Sequence, residues 1–199
     1  MDKKEIRSIL LPGSKPEIRK EEGEPTKIIG YAVRWDQLSH PIWGLFQERF
    51  RKGAFTNRMQ DVYASWQHDE REVLGRTPNT LVLTEDEIGL RYEITPPSWA
   101  DKYIETIERG DVRGSSFIFR AIKEEWDESN PDMPIRTVVE AELFEVSPVT
   151  RPAYPQSSVG IRSEQDFREE LAKRFGSERL RFLAEQQRAR ELQLLKLKF

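Results

Sequence analysis

Residues 135–149, IRTVVEAELFEVSPV, hold the longest strand signal in the chain. How their side chains divide between two faces decides what surrounds them. β-Branched and aromatic residues recur through the run, as a pleated, half-buried strand requires. Alternation puts Val139, Ala141 and Leu143 on one face with Glu145, and Glu140 and Glu142 on the other with Phe144 and Val146. Unless a bulge resets the count, Glu145 is then a carboxylate on the apolar side. Burying it is costly unless it is paired or hydrogen-bonded. An imidazole partner would meet that need, and so would an arginine.

Working outward, DESNPDMP (127–134) reads as a loop, and SSFIFRAIKEEW (115–126) as a second strand. Before it, Trp99, Tyr103, Ile104 and Ile107 form one apolar helical stripe. Ser98 stands at the cap, Asp101 in the first turn and Gly110 at the stop. NTLVLTEDEIGLRYEIT (79–95) predicts two strands around an acidic turn, with Leu90, Tyr92 and Ile94 alternating in the second. KIIGYAVRW (27–35) is strand-like, and the polar, Pro- and Gly-bearing stretch 12–27 reads as a loop or mobile connection. RPAYPQSSVGI (151–161) carries turn residues and a short last strand. From Ser163 onward there is one Gly and no Pro. Phe167, Leu171 and Phe175 share a helical face, Gly176-Ser177 break it, and Leu180 and Leu183 resume it. The expected organisation is an extension (1–27), a β-rich body of about six or seven strands with one helix (28–162) and a charged helical tail (163–199).

Composition removes several classes of function. A length of 199 residues suits one good-sized domain with an appendage. The net charge of −3 gives no global attraction to nucleic acid. Without cysteine there is no disulfide, no thiol catalysis and no cysteine-based zinc site. No apolar run approaches the roughly 20 residues of a membrane span, and the first residues lack a signal-peptide pattern. A soluble, intracellular protein is expected. Phosphate-binding glycine loops, His-Glu-x-x-His and Gly-x-Ser-x-Gly are all absent. Two histidines are too few to build a zinc site without several carboxylates, so neither metal nor cofactor is expected.

Acyl-transfer chemistry near neutral pH generally uses a histidine base, which leaves His40 and His68. His68, in YASWQHDEREVLGRT (63–77), follows an aromatic strand-like run and precedes a charged loop. That is a position for a side chain facing a cleft, and equally for a surface histidine beside Asp69 and Glu70. His40 precedes Pro41, which favours an extended turn, and is the weaker candidate. In RGDVRGSSFIF (109–119), Ser115 shares a face with Phe117 and Phe119, and Ser116 with Ile118 and Arg120. Read locally, both serines fit a crowded strand entrance after Gly114 as well as they fit a nucleophile.

Taken together and in order, WQHDEREVLGRT, IERGDVRGSSFIFR and AELFEVSPVTRPAYP resemble the prohead proteases of tailed bacteriophages. GYAVRWDQLS and FRKGAF are similar to that family's early segments, and the likeness runs over about residues 28–162. The resemblance implies an α+β, mainly β fold akin to the herpesvirus assembly proteases: a closed antiparallel barrel flanked by helices. It implies a serine endopeptidase with Ser116 as nucleophile, His68 as base and Glu145 as third member, and Arg151 as a further candidate near the oxyanion. Substrates would be scaffolding protein or scaffold segments of the major capsid protein, inside the procapsid in the host cytoplasm. Self-cleavage and a homodimer are further implications. The competing reading is a non-enzymatic β-barrel module that binds capsid or scaffold, and geometry separates the two: only the enzyme needs Ser116, His68 and Glu145 in one hydrogen-bonded row.

Overall fold

The computed structural model describes residues 4–9, 15–130, 132–150 and 164–176, with positions 181, 182, 185, 188 and 189. Ile135–Val149 form one fifteen-residue strand, β10, as the sequence predicts, and it is the organiser of the larger sheet. Along one edge it pairs antiparallel with β9 (Gly114–Asp127) for most of its length. Its other edge serves two short strands in succession, both parallel to it: β4 (Gln47–Phe50) and β5 (Tyr63–Trp66). β6 (Asp69–Arg76) extends the sheet beyond β5, and β1 (Glu5–Ile9) closes its far side on β9. A second sheet has the order β2 (Glu17–Arg19), β3 (Lys27–Arg34), β8 (Gly89–Ile94) and β7 (Leu81–Glu85).

The closed antiparallel barrel is therefore not formed. The six-stranded sheet runs from β1 to β6 and the four-stranded sheet from β2 to β7, and neither has its end strands paired. A single bridge between Trp35 and Phe50 touches the sheets at one corner without growing into a ladder. Alternation of side chains reports which face of a strand is buried. Two packed sheets and a barrel bury that face alike, so the pattern does not decide closure. The stretch after His68, expected as a charged loop, is the strand β6, and β1, β2 and β4 were also not legible as strands. Each of these last three is five residues or fewer and rich in charge, and is held by its partner rather than by its own composition.

The sheets share one core. Tyr92 and Ile94 from β8 and Ile28 from β3 meet Phe117 and Phe119 from β9 and Leu143 and Val146 from β10. Phe50 sits among Phe55, Phe117 and Phe119 at ring-centroid distances of 5.7, 5.4 and 5.0 Å. Each fully buried aromatic of this kind stabilises the fold by about 1.5–3 kcal/mol.

The helix α1 (Asp101–Glu108) follows a short 3-10 turn at Ser98–Ala100, and Ser98 gives it no side-chain cap. Gly110, at φ +84°, ends it as expected. A second helix, α2 (Glu164–Phe175), brings Leu171 into a separate apolar cluster with Ile42, Trp43, Leu45 and Phe46. The side chains of Phe167 and Phe175, the residues Leu180 and Leu183, and the short strand expected in 151–161 lie outside the described residues.

Candidate active site

Three strand ends converge at the site. Ser116 is the third residue of β9, fully buried, and lies opposite Ser147 of β10. His68 comes from the two-residue turn between β5 and β6, where Gln67 and His68 have φ of +57° and +63°. Positive φ at both positions is the mark of a type I′ hairpin turn, and it costs a non-glycine residue about 1 kcal/mol. The cost is met by the end of β10. The His68 N–H donates to Ser147 Oγ at 3.0 Å, Ser147 Oγ donates to the Ser65 carbonyl at 2.8 Å, and Thr150 N–H donates to Gln67 Oε1 at 3.2 Å. Trp66 stacks on Tyr103 of α1 at 4.2 Å, anchoring the hairpin from the other side.

So held, the imidazole bridges two side chains. His68 Nε2 is 2.6 Å from Ser116 Oγ, and Nδ1 is 3.1 Å from Glu145 Oε1. A carboxylate accepting from Nδ1–H leaves Nε2 with a lone pair toward the serine. Glu145 is 1% exposed and is further held by Ser65 Oγ, with the Tyr63 hydroxyl 3.3 Å from Oε2. Burial, followed by the charges of Glu145 and Glu70, pushes the Tyr63 phenol well above its ordinary range, so it remains a donor. Asp69, the acidic neighbour in the chain, turns away. Hydrogen bonds from the Arg71 side chain and backbone hold its carboxyl at about 2.

The structure thus brings Ser116, His68 and Glu145 into one hydrogen-bonded row. It separates the two serines: Ser115 Oγ faces the core and meets the Tyr92 hydroxyl at 2.8 Å. It also corrects the parity reading of β10. A register shift between Leu143 and Glu145 inserts Phe144 as an extra residue, pairing Leu143 with Phe119 but Glu145 with Ile118. Glu145 is therefore on the face opposite Leu143, the face of Ser116 and Ser147, and is buried there by β5. His40 is exposed on the loop between β3 and β4. Arg151 lies outside the described residues. Ser65 and Ser147 were not singled out from the sequence, since a serine inside a strand carries no signal of what it bonds.

Among the described residues no three metal-ligating side chains converge, and no helix is long and apolar enough to cross a membrane. No curated protein and no solved structure matches the chain. The family model described as caudovirus prohead serine protease matches residues 14–170, a span that holds Ser116, His68 and Glu145 together with every strand except β1, and the chain belongs to that family.

Proposed function

We propose that this serine protease of virus-head maturation works through Ser116, His68 and Glu145, with scaffolding protein or scaffold segments of the capsid protein as its substrates in the procapsid. Ser116 Oγ attacks the peptide carbonyl carbon while its proton passes to His68 Nε2. The C–N bond then breaks, the leaving amine takes the proton from Nε2, and an acyl-serine remains. Water, deprotonated by the same imidazole, releases the acid and restores the hydroxyl. Glu145 keeps Nδ1 protonated and stabilises the imidazolium at each step. Backbone N–H groups hold the oxyanion; Arg151 is a second candidate for that task. Residues 28–162 form the catalytic domain in this reading, with 1–27 and 163–199 as appendages.

The observation that supports the assignment is the row of contacts Ser116 Oγ–His68 Nε2–Nδ1–Glu145, at 2.6 and 3.1 Å. The test is co-expression with the cognate capsid or scaffold protein. Ser116→Ala is expected to abolish processing, a loss of about 10⁴-fold or more, and Ser115→Ala to retain it. Processing by Ser116→Ala, or its loss in Ser115→Ala alone, would overturn the choice of nucleophile.

A further inference from the structure

The nucleophile is not open to solvent: strand β1 lies across it. β1 pairs antiparallel with β9 in the register Ile6–Ile118, Arg7–Phe117 and Ser8–Ser116. Ser116 Oγ donates to the Arg7 carbonyl at 2.8 Å and accepts from Ser8 Oγ at 2.8 Å. The Arg7 carbonyl is thus the β1 group that stands at the nucleophile, and a seated β1 fills the place a scissile peptide would take.

The alternate side chains of β1 point the other way, into a buried charge cluster. Arg7 donates to Glu48 of β4, from Nε to Oε1 at 2.7 Å and from Nη2 to Oε2 at 3.2 Å. Glu5 accepts from Arg136 of β10 at 2.7 and 3.0 Å. Glu48 and Arg136 are 2% and 0% exposed and also bond each other at 2.7 Å. β1 therefore supplies a carboxylate and, two residues later, a guanidinium, to a matching guanidinium and carboxylate of the body. The family match begins at residue 14, so β1 lies outside it, whereas Glu48, Ser116 and Arg136 lie inside.

We infer that the edge of β9 under β1 is the substrate groove and that β1 is the chain's own occupant of it. A substrate segment enters as an extended antiparallel strand in β1's place. The residue whose carbonyl reaches Ser116 is basic and is held by Glu48; the residue two positions before it is acidic and is held by Arg136. Main-chain pairing gives such a strand affinity, and the alternate side chains give it specificity. The exchange is neutral in charge, since one carboxylate and one guanidinium leave as another pair arrives. An empty groove would take one ionic partner from each of the buried Glu48 and Arg136, so the edge favours being filled. This inference rests on Ser116 being the nucleophile.

The experiment uses the full chain, a fluorophosphonate probe that labels an activated serine, and two quenched peptides, Glu-Ile-Arg-Ser-Ile and Glu-Ile-Gln-Ser-Ile. Arg7→Glu sets a carboxylate against Glu48, and Ser8→Pro unseats β1 through its backbone. Each is expected to raise both labelling of Ser116 and turnover of the Arg peptide by about tenfold. Glu48→Gln is expected to cut the preference for the Arg over the Gln peptide, in kcat/KM, by about tenfold. If Arg7→Glu and Ser8→Pro both leave labelling unchanged, or Glu48→Gln lowers the two peptides equally, β1 is a structural strand and the inference falls. Failure of the catalytic assignment reads differently: Ser116→Ala still takes the probe, or no variant takes it at all.

Discussion

At the scale of single residues, the site depends on a side chain outside the Ser116–His68–Glu145 row. Ser147 is fully buried and supports the turn that aims His68, accepting from its N–H and donating to the Ser65 carbonyl. Ser147→Ala leaves both groups without that partner, at a cost of about 1–3 kcal/mol. Because the damage falls on the aim of the imidazole, kcat is expected to drop about tenfold or more with KM little changed, and Ser147→Thr to recover part of it. A fall in KM-dependent binding alone, with kcat intact, would contradict this positioning role. Ser116 and His68 were singled out by the ordered motifs. Ser147 was not, because its importance lies in two backbone groups that reach it from β5 and the turn after it, some eighty residues earlier.

Between elements, the close approach of β3 to β8 bears on the serine pair. A Cβ placed on Gly30 would lie 2.4 Å from the Tyr92 hydroxyl oxygen, and Tyr92 is fully buried with that hydroxyl bonded to Ser115. Gly30→Ala must therefore displace the Tyr92 ring from a packed core. An overpacking cost of about 1–3 kcal/mol is expected in denaturant unfolding, with activity reduced beyond the loss in folded protein because Ser115 adjoins Ser116, the proposed nucleophile. Unchanged stability would mean that the β3–β8 pair can open without strain. β10 shows the limit of pattern reading at this scale. Its boundaries follow from its composition, while the bulge before Glu145 reverses the face on which that carboxylate lies. One extra residue in a ladder leaves no mark in a local sequence, since it is the partner strand that sets the register.

Across the whole molecule, the buried cluster around Arg136 joins β1, β4, β9 and β10. Arg136 donates to Glu5, Glu48 and Glu124, which lie far apart in sequence. Burial alone would raise the Glu124 carboxyl, but the charge of Arg136, with hydrogen bonds from Trp126 and Arg136, outweighs it and holds the group below its ordinary range. A carboxylate lowered in the folded state contributes stability above its unfolded pKa, and that contribution is lost as pH falls through the folded value. Stability is thus expected to decline on acidification below about pH 4.3, and Glu124→Gln to flatten that decline. Thermal unfolding measured against pH decides it: an equally steep acid limb in Glu124→Gln would place the sensitivity elsewhere.

What the sequence by itself determined was the length and place of the two longest strands, the helix before Gly110 and the family to which the ordered motifs belong. These are local properties: alternation, caps, turn residues and short motifs are each contained within a dozen neighbours. Only the tertiary structure decided that two open sheets replace a closed barrel, that Glu145 shares a face with Ser116, and that residues 5–9 pair along β9 beside Ser116. Each of these depends on which edges pair and in what register. Such pairings are chosen by the packing of the whole core and by the burial of charges such as Arg136, and no single segment carries them.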